Sequence, residues 1–586
     1  MTNIEDNIGI VVSGTFSQGM NVKLNSQNAL SSLTIGSHVV IDTLAQRFMC
    51  EVSDIGLRAT DQRVEHIPLH MQNERIFQSL IDNAAYAFIE VTPRLILSKE
   101  NVLGGNSDPV ELPSANTIPP HFSPVFKPTE ADYEQVFYTR EGKGFSVGNP
   151  LDLDTQINLD MELLVQRSSA IFGKSGSGKS FLTKILLAGM LQKSGAASLI
   201  FDYAGEYAYE GFSEENKPIK GLAQLFKNKV VNYTIDKRRL EGRKVGAEFL
   251  HIPRHEIDPD DIALLRNILN MNENQMEAAR IVYEVFKINR TSDWIHDFVH
   301  AEDDSEQMME LESRYNVYPA TIGALKRRLR RIDRLEFLTD SGESDDVVKS
   351  IIDKLKNGLT VILDFPRDEL SYILIANMLT RRIHSQWRYE KENYTRDRNK
   401  YKDPVPLVIT IEEAHNFLNK DVSNRTTFGT IAREARKYNV TLMVVDQRPS
   451  GIDDEIMSQI ENKFICKLDD PRDIASVFDG VPHGNRMKTS LRSIESKQHA
   501  LAFGEAIPMP IIFKVRMIYP LIFSALIVFV FSVIAMEYYR AISARHRLHN
   551  ENIFIAFSML IKKNRTRYGG YIVHLGIITV SYTHLR

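Results

Sequence analysis

Cysteine is nearly absent: the 586 residues hold two, Cys50 and Cys466. They lie far apart and fit no metal-ligand or redox spacing, which speaks against a disulfide-built domain and suits a reducing, cytosolic compartment. A positive surplus is also missing, the formal net charge being −4. Residues 517–586 carry eight Lys/Arg against two Asp/Glu, so the preceding 516 residues hold −10. An acidic body argues against a protein that coats nucleic acid broadly, yet leaves room for a narrow basic channel, because net charge does not report local placement. The opening "MTNIEDNIGIVVSG" has acids where the basic stretch of a secretory signal would stand. Uncharged apolar runs of membrane length are lacking except at 517–536.

What is present is ordinary globular material, 43% hydrophobic and 25% charged, long enough for two to four domains. Residues 7–57 alternate short strand-like runs with Gly and Asn, the pattern of a small β-barrel extending to about residue 100. The Pro-, Gly- and Ser-rich stretch 104–125 marks a linker or arm over 101–146. From about 147 to 516 strands such as "ASLIFDY", "PLVITIEE" and "TLMVVDQ" alternate with helical segments. This predicts an α/β fold with a parallel-rich sheet and flanking helices. Between about 235 and 350 the alternation stops and apolar residues recur at helical spacing, which predicts a helical insertion. Around "KRRLRRIDR" (326–334) the residues Leu325, Leu329 and Ile332 make one apolar stripe, so its basic residues form a solvated face.

The stretch "IFGKSGSGKS" (171–180) meets the pattern G-x-x-x-x-G-K-[ST]. Gly173, Lys174, Ser175, Gly176, Ser177 and Gly178 form a loop whose backbone N–H groups can surround phosphates. Lys179 reaches the β- and γ-phosphates, and the Ser180 hydroxyl takes a place on Mg²⁺. An apolar strand precedes the loop and a helix follows, putting the positive helix end at the anion. ATP and Mg²⁺ are therefore the expected cofactors.

"PLVITIEEAHNF" ends a strand in two carboxylates. Glu412 is placed to hold a Mg²⁺ water and Glu413 to polarise the attacking water. Gln447, at the tip of the next strand, either senses the γ-phosphate or orients that water. Arg433 and Arg436 share one helical edge and can serve a neighbouring subunit's site; Arg167, before the P-loop strand, is a further candidate. Asp202 ends the strand after the P-loop helix, either near the nucleotide or as a cap on the turn that follows.

Taken together, "GKSGSGKS", "FDYAGEY", "IEEAHNF", "REARKY" and "DQRPSGIDDEIMSQI" resemble the HerA family of hexameric DNA-translocating ATPases, related to the FtsK-type pumps, over roughly residues 5–516. The resemblance implies a RecA-like P-loop NTPase core with an N-terminal barrel, a homo-hexameric ring with ATP sites between neighbours, and double-stranded DNA threaded through its pore. It further implies a partner such as a NurA-like nuclease in DNA end processing, or another effector in phage defence. By position, Lys179 and Ser180 bind phosphate and metal and Glu413 is the catalytic carboxylate. Arg436, or Arg433, acts across the interface, and Arg167 falls where the family also has a functional arginine. Two other readings fit the same motifs: a ring ATPase that moves protein, and a nucleotide-gated platform for a nuclease or effector.

The run "MIYPLIFSALIVFVFSVIAM" (517–536) has the length of one membrane-type helix. Basic residues follow it, and the positive-inside rule would then put the ATPase body on the far side of the membrane from the cytoplasm. Residues 537–580 resemble a piece of the cytochrome c haem lyase CcmF, with His574 in that family's haem-related motif. The tail is therefore expected to be an unrelated segment joined to a cytoplasmic body, with membrane association only if it is genuine.

Overall fold

The computed structural model describes residues 7–59, 85–98 and 112–515, apart from 213–217, 241–245, 290–291, 341–346, 366, 424–425, 435–436, 482–483, 493 and 495–497, together with 536, 538–543 and 552. The chain divides into a unit Met1–Val515 and a unit Arg516–Arg586. Of the apolar run 517–536 only Met536 is described, and His574 also lies outside the described residues. Among the described residues no helix is long and apolar enough to cross a membrane.

The barrel expected at the N-terminus is present and closed. Its strands are β1 (Asn7–Thr15), β2 (Gly19–Leu24), β3 (His38–Asp42), β4 (Arg47–Ala59), β5 (Ala85–Leu97) and β6 (Pro124–Phe126), in the order β1-β2-β5-β4-β3-β6. Val22, Val39, Ile41, Val52, Ile89 and Val91 fill its interior. The boundary at residue 100 needs correction, because β6 comes from the expected linker and pairs with both β1 and β3. Three residues opening on proline carry too little alternation to read as a strand. The linker also contains a helix, Glu130–Val136, begun by a capping box between Thr129 and Asp132.

Twelve strands form the ATPase sheet: β7 (Gly144–Pro150), β8 (Ile157–Asp160), β9 (Ser169–Phe172), β10 (Ala197–Asp202), β11 (Val230–Thr234), β12 (Glu248–Phe249), β13 (Thr360–Asp364), β14 (Leu407–Glu412), β15 (Val440–Asp446), β16 (Asn462–Ile465), β17 (His499–Gly504) and β18 (Ile507–Val515). The order is β12-β11-β13-β10-β14-β15-β9-β16-β17-β18-β7-β8. From β12 to β16 the pairing is parallel, and from β16 to β8 it is antiparallel. Every residue of β10, β14 and β15 is buried, as expected of parallel strands covered on both faces. One face packs on the P-loop helix through Leu182, Ile185 and Leu186. The other packs on the helix Glu369–Arg396 and on the insertion.

The insertion is helical as expected, with Pro259–Leu264, Glu273–Phe286, Trp294–His300, Glu306–Ser313 and Pro319–Asp333 as its main helices. Leu325, Leu329 and Ile332 are fully buried, so the apolar stripe of the basic helix faces its neighbours. Within the first unit the barrel is tied to the ATPase by hydrogen bonds. Glu51 accepts Arg94 at 2.7 Å and Ser490 at 3.1 Å, and Arg486 donates to Thr92 and to the Ser17 carbonyl.

Candidate active site

The parallel register decides where functional side chains meet. Phe172 of β9 lies beside Asp446 of β15, and Glu412 of β14 beside Val445. The P-loop, the paired glutamates and Gln447 thus leave the sheet at one edge, the edge where open α/β folds bind ligands.

The loop is shaped by glycine at two decisive points. Gly178, which precedes the helix Lys179–Lys193, has φ +94°, a conformation that glycine adopts without strain. At Gly173 a Cβ would sit 2.5 Å from Ser177 Oγ and 2.7 Å from the Cys466 Cβ, so the backbone can lie there only without a side chain. Three loop residues form the frame of the cradle. Gly173 N–H donates to the Asp446 carbonyl, Lys174 N–H to the Lys467 carbonyl, and Ser177, through both N–H and hydroxyl, to the Lys174 carbonyl. The Lys174 ammonium is drawn outward to Asp469 at 2.6 Å. Lys174 is therefore a frame residue, in correction of its expected contact with phosphate. Ser175, Gly176, Gly178, Lys179 and Ser180 remain to face the anion, where the first N–H groups of the helix have no partner within it. These residues fit ATP with Mg²⁺: Ser180 would hold the metal and Lys179 would meet the phosphates. When bound, the metal neutralises phosphate charge.

Glu413 and Gln447 come together as the sequence expects: Gln447 Nε2 donates to Glu413 Oε1 at 2.9 Å. Glu413 has φ +46°, rare for a residue with a side chain. The surroundings enforce it. Tyr372 donates to the Glu412 carbonyl at 2.6 Å, and Asn416 N–H donates to the Glu413 carbonyl. Strain of this kind, held by neighbouring bonds, is common where a side chain must be presented for chemistry.

Glu412 and Asp202 behave differently from expectation. Glu412 is buried, accepting Ala204 N–H at 3.1 Å and the Tyr207 hydroxyl at 2.9 Å. Burial, with the nearby charge of Asp202, pushes its carboxyl up to about 8. Asp202 is fully buried and accepts Glu206 N–H and Tyr207 N–H, each at 2.8 Å. Burial carries it to about 6 despite those two bonds. Both carboxyls build the turn 203–207. For Asp202 the turn-capping alternative holds, and its assignment to the nucleotide is corrected. For Glu412 the same commitment to the turn leaves Ser180 as the better fit to a metal.

The arginines divide. Arg167 precedes β9, at the opposite sheet edge from the loop, and pairs with Glu461 at 3.1 Å. It does not join the site of its own chain. Arg433, on the helix Thr427–Glu434, pairs with Glu455 at 3.3 Å. Arg436 lies outside the described residues.

Sequence reasoning missed His415. Its backbone N–H and its Nδ1 both meet Asp446 Oδ2, at 2.8 and 3.0 Å, and Nδ1 lies 3.7 Å from Glu413 Oε2. The hydrogen bond to Asp446 raises the imidazole's pKa against the effect of burial. Its signal was position alone, two residues past Glu413. Lys184, one turn into the P-loop helix, was missed too. Burial lowers its pKa while Glu206, Asp202 and Glu412 oppose that shift.

The sequence is similar to those of known helicases. Residues 145–383 match the family model of the central domain of helicase HerA. The DNA double-strand break repair helicase HerA of Saccharolobus solfataricus is 25% identical over 421 residues, 68% of this chain and 74% of that protein. Its namesake in Pyrococcus furiosus is 24% identical over 434 residues, 67% of this chain and 72% of that protein. Among solved structures, the bacterial conjugative coupling protein TrwBdeltaN70 has a TM-score of 0.43 at 12% identity, over 66% of this chain and 92% of that chain. The protein is a P-loop ATPase, and its residues 145–383 are similar to the central domain of helicase HerA.

Proposed function

We propose that this ATPase uses hydrolysis to move along double-stranded DNA as a homo-hexameric ring in the cytoplasm, working with a NurA-like nuclease or another effector in DNA end processing or phage defence. The observation that carries the catalytic part is the Glu413–Gln447 contact at the sheet edge where the P-loop also begins. Glu413 takes the proton of the attacking water, and Gln447 fixes the carboxylate's orientation. His415, held by Asp446, supports the same carboxylate from its other oxygen. Lys179 meets the charge that develops on the transferred phosphoryl oxygens.

The relatives' names support DNA as the track, and the barrel locked onto the ATPase supports a rigid protomer able to pack in a ring. Arg433 or Arg436 then enters the neighbour's site, and Arg167 lies on the side of the sheet away from its own loop, where it too can serve a neighbour. The test is ATP turnover by the full chain at low salt with and without duplex DNA, where phosphate contacts are strongest. Stimulation by duplex, with no turnover in Lys179→Ala, is expected. Turnover indifferent to duplex would remove the DNA assignment while leaving the ATPase in place.

A further inference from the structure

The helical insertion holds a group of side chains that the ATPase reaction does not use. His296 and His300 are one turn apart on the helix Trp294–His300, their rings 4.4 Å apart. Asp333, the last residue of the helix Pro319–Asp333, lies opposite them. His296 Nδ1 is 2.9 Å from Asp333 Oδ1, and His300 Nε2 is 3.1 Å from Asp333 Oδ2. One ligand atom from each residue falls within 4.8 Å of the others. The carboxylate is 8% exposed, whereas the histidines are 44% and 58% exposed, so the group has a buried anionic floor and a solvent-facing mouth.

We propose that His296, His300 and Asp333 form a binding site for a divalent zinc-class ion that staples these two helices of the insertion. Two imidazoles and one carboxylate suit zinc better than magnesium or calcium, which prefer oxygen ligands alone. An ion with bonds of 2.0–2.2 Å in tetrahedral array holds neighbouring ligand atoms about 3.4 Å apart. The present 2.9 and 3.1 Å contacts go to the two different carboxylate oxygens, and one ligand atom from each residue lies within 4.8 Å of the others, so those atoms need to shift by at most about 1.4 Å to reach that spacing. Exposed side chains at a helix surface make that movement easily.

The protons balance without a co-reactant. With no ion, each ring donates an N–H to Asp333. On binding, that proton is exchanged through solvent for one on the ring's other nitrogen, so a neutral imidazole ligates through the atom already facing the carboxylate. The solvent side supplies the fourth position, a water. Arg254 opposes the ion, with Nε 3.7 Å from Asp333 Oδ1, but its guanidinium is also held by Asp340 and by the Asp333 carbonyl. The positive charge beside the site favours a moderate, exchangeable affinity over a permanent structural metal.

The test uses the full chain, stripped with chelator and titrated with zinc chloride without nucleotide, bound metal being counted directly. His296→Ala and His300→Gln alter exposed side chains and leave the buried floor intact. The expected result is one zinc per chain fewer in each variant, or at least a tenfold loss of affinity for that zinc, since even partners outside the ligand shell change affinity by about 10–100-fold. Cobalt in place of zinc should give visible d–d bands in the wild type that both variants lose. Zinc should also raise the unfolding temperature of the wild type more than that of either variant. Equal stoichiometry and equal affinity in wild type and both variants would overturn the proposal and leave the histidines as plain hydrogen-bond partners of Asp333.

Discussion

Replacing Glu413 separately with glycine and with alanine distinguishes its backbone from its side chain. Both variants lose the carboxylate, and with it the hydrogen bond from Gln447. They differ in what they do at φ +46°. At an ordinary position glycine is the less stable of the two by roughly 0.5–1 kcal/mol, because its unfolded chain has more freedom to lose. Here alanine retains a left-handed conformation that costs an L-residue about 1–2 kcal/mol, and glycine releases it. The order should reverse, with glycine more stable than alanine by about 0.5–1 kcal/mol. Urea unfolding of the nucleotide-free protein reads that difference directly. Turnover should fall in both variants by about 10²–10⁴, the usual contribution of a general base. Alanine equal to or better than glycine would mean that the backbone is not strained. Turnover above about one-hundredth of wild type in either variant would remove Glu413 from the chemistry.

Two further substitutions bear on the same body. Gln447→Leu removes the donor to Glu413 while keeping volume, so turnover should drop about tenfold or more with nucleotide affinity unchanged; an altered affinity with normal turnover would make Gln447 a phosphate sensor instead. Lys463, buried in β16, donates to the Val477 carbonyl, and burial pulls its ammonium down to about 8. Between that value and its ordinary one the unfolded chain holds the proton and the folded one does not, so folding stability should rise with pH across this window by up to about 3 kcal/mol. Lys463→Met should abolish that rise, leaving its stability advantage over wild type large near pH 7 and small above about pH 10. A pH-independent difference between the two proteins in urea midpoint would show that the lysine keeps its ordinary pKa in the folded protein.

The P-loop was legible because backbone demands write themselves into composition: the cradle needs glycine where a side chain would strike Ser177 and Cys466, and again at φ +94°. Strands β10, β14 and β15 were legible because burial on both faces leaves continuous apolar runs. Their parallel register then put Glu413 and Gln447 together without further information. By contrast, β7 carries Gly144, Gly148, Asn149 and Pro150, which lower strand propensity, so it and its partner β8 went unseen. Strand β11, "VVNYT", was overlooked because it lies at the entry to the insertion, where helical periodicity takes over. The His415–Asp446 bond depends on how two loops turn after leaving the sheet, which no periodicity encodes.

The carboxylates at the strand ends differ from Glu413 in how far their oxygens are committed, which is what makes Glu413 the proposed base. Asp202, Asp364, Glu412 and Asp446 close β10, β13, β14 and β15 at one edge, and all four are buried. Asp202 and Glu412 hold the turn 203–207, Asp364 pairs with Arg239, and Asp446 binds the N–H groups of His415 and Arg448. Each is bonded to loops that leave this edge of the sheet, Glu412 to the turn after β10 and Asp446 to His415 after β14, because a desolvated carboxylate is tolerated only with donors in contact. A reactive base needs the opposite: partial exposure and an oxygen left for water. Glu413 obtains both by standing one residue beyond the strand, where the left-handed turn throws its side chain out of the buried row and against Gln447. Two acids in succession are thus two different devices. The first anchors the wall of the site, and the second is presented by the strain that the first one's anchoring sustains.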